Sequence, residues 1–164
     1  MKLPPRSSGM RLAALGCCAL VLAQCNSLSG IAEDLERSFT VEPGTMRPGD
    51  SLQAVLTISN PTLRSASLTG QYSCPAFLYT FRGDTEVELE GTKFDCPAAF
   101  TRFRIEALDT LRVRYRLVAR VRTPGSSDPY TPAPVGTYRL KADLNMSLPD
   151  LEVVFTVEAP TASR

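Results

Sequence analysis

The chain of 164 residues contains no histidine, the side chain that most often serves as a general base near neutral pH. The serine–lysine alternative lacks its spacing: Lys93 and Lys141 sit in patterned strand or turn contexts with no S-x-x-K arrangement around them. The acidic residues alternate with apolar ones rather than converging as a carboxylate pair, and no Gly-rich phosphate loop, Walker motif or metal motif is present. The expectation is a protein that is not an enzyme and uses no cofactor and no metal.

Charge and sulfur remain. Arg112, Arg114, Arg116, Arg120 and Arg122 recur at alternate positions, with Val118 interrupting the row. Guanidinium forks match carboxylates and phosphates bidentately, so such a row can grip anions. Its plainer account is a solvated sheet face relieved by the row Glu86, Glu88 and Glu90, which has the same period. Arg82-Gly83-Asp84 matches an adhesion tripeptide, but a hairpin turn explains it fully. Asn145-Met146-Ser147 fits a glycosylation sequon.

Of five cysteines, Cys17, Cys18 and Cys25 lie in or beside an apolar N-terminal run, leaving Cys74 and Cys96, each followed by proline. An even pair in a small β domain of an oxidising compartment is expected to be bridged. With Arg82 facing Thr85 across the turn, Cys74 falls opposite Lys93, so the bridge has to form through a bulge or a third segment beyond Gly91.

The N-terminus reads as a targeting segment: Lys2, Arg6 and Arg11 precede the apolar run Leu12–Ala23, which is shorter than the roughly 20 residues a bilayer span requires. Leu22-Ala23-Gln24-Cys25 resembles a lipoprotein signal-peptidase box, with Gln24 departing from its small-residue position and Cys25 as the acylated residue. Ala23–Cys25 and Ser27–Ser29 also offer the small residues that ordinary signal peptidase prefers. Without Lys2, Arg6 and Arg11, the eighteen basic residues become fifteen against seventeen acidic ones. A net charge of about −2 gives no reason to expect nucleic-acid binding. Contact with a membrane is expected only through an N-terminal lipid anchor.

These groups must be positioned by strands. From Ser38 onward apolar and polar residues alternate in short runs bounded by turn residues. The runs are Ser38–Val41, Ser51–Ser59, Ala66–Thr69, Ala76–Phe81, Glu86–Glu90, Leu111–Arg122, Thr137–Leu144 and Leu151–Val157. Only Ile31–Leu35 reads as a brief helix. The fold expected is all-β, an immunoglobulin-like antiparallel β-sandwich of seven to eight strands preceded by a signal peptide. The organisation is a signal peptide with a lipobox over 1–25, a linker over 26–37, the domain over 38–158 and a tail over 159–164.

The order of four pieces resembles the intracellular proteinase inhibitor (BsuPI) family, a small immunoglobulin-like domain. They are Leu56–Pro61, an early strand ending in Asn; Thr69-Gly70-Gln71-Tyr72 followed by Phe77–Phe81; Glu86–Leu89 with Lys93-Phe94; and Pro134–Leu140, a closing Pro-Val-Gly-Thr-Tyr strand. The family name implies a cytosolic inhibitor, whereas this chain has an export signal and a Cys-Pro pair. The resemblance implies a protein partner, with a protease as its specific form. The binding element expected is the Thr123–Pro134 connection, with Pro124, Asp128, Pro129 and Tyr130, because it is long for a hairpin and stiffened by prolines. Its rival is a polar surface connection. A structural or adhesive envelope domain that presents a sheet edge is the alternative function.

Overall fold

The computed structural model describes residues 34–122 and 129–160. They form twelve strands: β1 (Glu36–Glu42), β2 (Thr45–Met46), β3 (Ser51–Ser59), β4 (Ala66–Tyr72), β5 (Ala76–Arg82), β6 (Thr85–Val87), β7 (Leu89–Glu90), β8 (Ala98–Ile105), β9 (Thr110–Arg122), β10 (Tyr130–Pro132), β11 (Gly136–Leu144) and β12 (Leu151–Val157). Eight have seven residues or more, and there is no helix among the described residues. The all-β sandwich expected from the alternation is the observed architecture.

In the first sheet β3 lies between β1 and the N-terminal part of β9, all antiparallel. β7 and β10 pair with the C-terminal end of β9. In the second, β11 lies between β12 and β5, with β6 beyond β5 and β2 parallel to β12. A two-stranded ribbon of β4 and β8 stands apart. The period-2 pattern sends Leu52, Ala54, Leu56 and Ile58 of β3 inward with Leu117 and Ala119 of β9, and the second sheet contributes Tyr138, Leu140, Phe155 and Val157. The Tyr138 and Phe155 rings stack with centroids 5.3 Å apart. The Tyr138 hydroxyl donates to the Pro134 carbonyl four residues upstream at 2.7 Å, and burial raises its pKa. This bond gives a buried ring a satisfied polar tip and fixes the chain where it enters β11.

Several expectations change in detail. Glu86–Glu90 is not one strand: Thr85–Val87 pairs with β5, whereas Leu89–Glu90 crosses to β9 in the other sheet. Leu89 is fully buried by the crossing. The turn after it needs Gly91, whose φ is +94° and where a Cβ would lie 2.6 Å from the Arg116 carbonyl. Beyond it the chain leads through residues 92–97 to β8, and Cys96 in that third segment bridges Cys74. β8 is an added strand; its residues are largely exposed because it pairs only with β4. The brief helix is not found at Asp34 and Leu35, the latter buried immediately before β1; Ile31, Ala32 and Glu33 lie outside the described residues. β1 begins at Glu36, two residues before the expected domain start, because Leu35 joins the core and Glu36 pairs with Ser59.

Candidate functional site

The outward face of the first sheet collects the charge. Along β9 the inward positions Leu111, Val113, Tyr115, Leu117 and Ala119 alternate with outward arginines. At the C-terminal end those arginines are neutralised within the chain. Arg120 pairs with Glu90 at 3.1 Å and Arg122 with Glu88 at 3.3 Å. Glu86 is left out of the row, since it faces Phe81 across the β5–β6 hairpin. Tyr130 stands opposite Arg122 in β10, and its hydroxyl donates to the Glu88 carboxylate at 2.7 Å. The Arg120 guanidinium donates to the Tyr130 carbonyl.

This cluster has a consistent electrostatic signature. The Tyr130 hydrogen bond, reinforced by Arg122, holds the Glu88 carboxyl below its ordinary range against the opposing effect of burial. The same hydrogen bond, with burial added, pushes the Tyr130 phenol up. A phenol donating to a carboxylate stabilises one group charged and the other neutral, so both shifts express one bond.

Two residues of the expected binding element, Pro124 and Asp128, lie outside the described residues. Pro129 is exposed and Tyr130 is half-buried. The connection is interrupted, because Tyr130–Pro132 pairs with Arg120–Arg122 and the Ala133 amide donates to the Ala119 carbonyl at 2.8 Å. Both ends of residues 123–128 therefore spring from paired backbone. Their stem is tied by Glu88, which takes Arg122 on one side and Tyr130 on the other.

Cys74 and Cys96 are bridged, with Cα atoms 5.6 Å apart, and the disulfide fits an oxidising, extracellular setting. Cys25 lies outside the described residues. The Arg82–Asp84 tripeptide is the tight β5–β6 turn, with Gly83 at φ +60°. Arg82 also donates to the Val135 carbonyl at 3.1 Å, which draws it toward the β11 approach. The Asn145 side chain is structurally engaged: it accepts from the Gln71 amide at 3.2 Å and donates to the Tyr72 and Cys74 carbonyls at 3.2 and 3.3 Å.

Further features were not singled out by sequence reasoning. Asn60, read there as a strand stop, is 1% exposed and donates to the carbonyls of Arg64, Ile105 and Glu106. An open cleft of about 420 Å³ lies beside Gly70, Gln71, Asp143 and Asn145, with the 87% exposed ring of Phe100 at its side. The Tyr115 ring packs on Phe94 with centroids 5.4 Å apart, and burial pushes its pKa up to about 12. An Asn before Pro and the Thr101–Ile105 alternation were the available signals. Among the described residues no group of three or more histidine, cysteine, aspartate or glutamate side chains could hold a metal ion.

No protein-family model matches the chain, and no curated protein matches it. Among solved structures it is similar to a β-glucosidase from Erythrobacter marinus, at 14% identity and a TM-score of 0.46, covering 76% of this chain and 15% of that one. A β-glucosidase from Listeria innocua in complex with gluconolactone gives 14% identity and a TM-score of 0.43, covering 75% and 16%. A β-D-glucoside glucohydrolase from Trichoderma reesei gives 10% identity and a TM-score of 0.41, covering 76% and 19%. The chain thus spans less than a fifth of the length of each of these enzymes.

Proposed function

We propose that this chain is a non-catalytic protein-binding domain of the cell envelope, lipid-anchored through Cys25, with proteinase inhibition as the form that the resemblance to the BsuPI family implies. The observation that carries the reading is the clamped stem of residues 123–128. Glu88 joins Arg122 and Tyr130 at its two sides, so the connection is held at a fixed base, which lowers the cost of ordering it against a partner. The charged, open outer face of β9 supports binding rather than turnover, since it offers recognition groups without an enclosed reaction cavity.

The test is to titrate the mature chain against a panel of serine proteases and to capture envelope partners, with and without residues 124–128. Restricting the deletion to those residues spares β10 and the buried Ala133, so the sandwich is retained. Inhibition, or stoichiometric capture of one partner, that is lost with the deletion supports the reading. A mature chain that neither inhibits nor captures any partner overturns it. The second reading, a structural or adhesive domain that presents a sheet edge, is favoured by the β9 edge opposite β3, with which no strand pairs from Thr110 to Tyr115 among the described residues.

A further inference from the structure

The two halves of β9 differ in what faces their arginines. Arg120 and Arg122 meet Glu90 and Glu88 of the crossing chain. Arg112, Arg114 and Arg116 stand opposite Thr57, Val55 and Gln53 of β3, all uncharged, and no ion pair to them is found among the described residues. On that face Glu42 of β1 lies across Gln53 from Arg116, and Glu90, opposite Val118, is engaged by Arg120. Thr40, Glu42, Gln53, Val55, Thr57, Arg112 and Arg114 together line a shallow depression of about 280 Å³.

Backbone direction gives this half its second property. The Ala119 amide donates to Asp50 on the β3 side at 2.8 Å, and the Arg122 amide donates to Glu88 on the β7 side at 2.9 Å. Groups of alternate residues point to opposite edges of a strand. Arg112, Arg114 and Arg116 therefore turn their backbone groups toward the edge that β7 occupies further along. β7 pairs there only with Val118 and Val121, and Gly91 packs against the Arg116 carbonyl. Among the described residues no strand pairs with this edge from Thr110 to Tyr115. On the inner side of the same stretch Leu111, Val113 and Tyr115 are only half-buried, whereas Leu117 and Ala119 are buried.

We propose that the β9 edge from Thr110 to Tyr115 is a strand-addition site for an extended segment of a partner protein that carries acidic residues at every second position and apolar residues between them. An added strand places its alternate side chains directly opposite Arg112 and Arg114, at cross-strand distances of about 4.5–5.5 Å between Cβ atoms. Its intervening residues fall on the half-buried side beside Leu111 and Val113. The chain already makes this interaction within itself at the other end of the same edge, where Glu88-Leu89-Glu90 pairs acids with Arg122 and Arg120 and buries Leu89 between them. Arginines on an open edge also reject neutral and basic strands, and that rejection makes the site selective.

The proposal rests on the protein-binding reading but uses a different surface from the 123–128 segment, so the two fail separately. The probe is a labelled, end-blocked peptide with the sequence of Thr85–Gly91, measured by fluorescence anisotropy against the mature chain at low salt. Its control has the same composition with the three glutamates grouped. The alternating peptide is expected to bind at least about tenfold more tightly than the grouped one, and about tenfold less tightly to an Arg112→Glu/Arg114→Glu chain, since each exposed pair contributes a few-fold and reversal makes attraction repulsion. Binding is expected to survive deletion of residues 124–128. A peptide with lysines in place of the glutamates is expected to bind the doubly reversed chain, which separates lost recognition from lost folding. Equal binding of alternating and grouped peptides, or no binding of the alternating one, overturns the proposal. So does retention on phosphatidylglycerol vesicles without peptide binding, which would assign the arginines to anionic lipid.

Discussion

Replacing Asn60 by alanine removes the tie between two loops at one end of the sandwich. The side-chain amide donates at 2.7 Å to the Arg64 carbonyl, 3.0 Å to Glu106 and 3.2 Å to Ile105, while its oxygen accepts from the Thr62 hydroxyl at 2.7 Å and the Thr62 amide at 3.2 Å. Arg64 and Glu106 are exposed and regain water when the amide is gone, so their loss is about 0.5 kcal/mol each, about 1 kcal/mol together. Ile105 is 2% exposed, and its abandoned carbonyl costs about 1–3 kcal/mol more. The expected destabilisation is about 2–4 kcal/mol. Equilibrium urea unfolding should show it as a midpoint lowered by roughly 1–2 M at unchanged slope, for a slope of about 2 kcal/mol/M. Asn60→Asp sharpens the test, since it keeps the acceptor for Thr62 but turns a carboxylate toward three carbonyl oxygens. It should be worse than alanine at neutral pH and recover as the solution is acidified through the carboxyl's raised pKa. A loss below about 0.5 kcal/mol for Asn60→Ala, or an aspartate variant as stable as wild type at pH 7, would refute the reasoning.

Two further outcomes follow from the same geometry. Opening the Cys74–Cys96 bridge, which spans a sequence separation of 22, by a double serine substitution should cost about 3 kcal/mol on chain-entropy grounds; calorimetry that finds no fall in Tm for the variant would contradict this. Tyr130→Phe should cost about 0.5–1.5 kcal/mol at pH 7 and raise the Glu88 pKa. Because Glu88 titrates below its ordinary value of 4.5 in the folded chain, its contribution is complete above that value and is lost as pH falls through the folded pKa. Wild type and variant should therefore converge in stability on acidification, and a difference that stays constant from pH 7 to pH 3 would sink the assignment.

How much of this was legible beforehand follows from the period of the strands. Burial on one side of a sheet imposes an alternation that survives in the sequence, so β3, β5, β9, β11 and β12 could be read directly with their inward residues. The Arg82–Thr85 register was legible for a similar reason, since a glycine turn fixes which residues face one another. β8 escaped notice because a two-stranded ribbon buries little, leaving a pattern in which only Ile105 is buried. In the candidate site, the arginine and glutamate rows were visible as period-2 charge. Their division into a neutralised half and an open half was not, because it depends on the chain changing sheets at Glu88.

The amino-acid sequence by itself determined the all-β class, the cysteines available for bridging and the outward row of arginines, because each depends on residue type and local periodicity. The tertiary structure decided which segments meet. It split Glu86–Glu90 between two sheets, brought Tyr130 from the expected loop onto Glu88, and left the β9 edge without a strand partner from Thr110 to Tyr115 among the described residues. Those outcomes depend on long-range pairing. Side-chain alternation fixes which face of a strand is buried but carries no record of which neighbour its backbone will find.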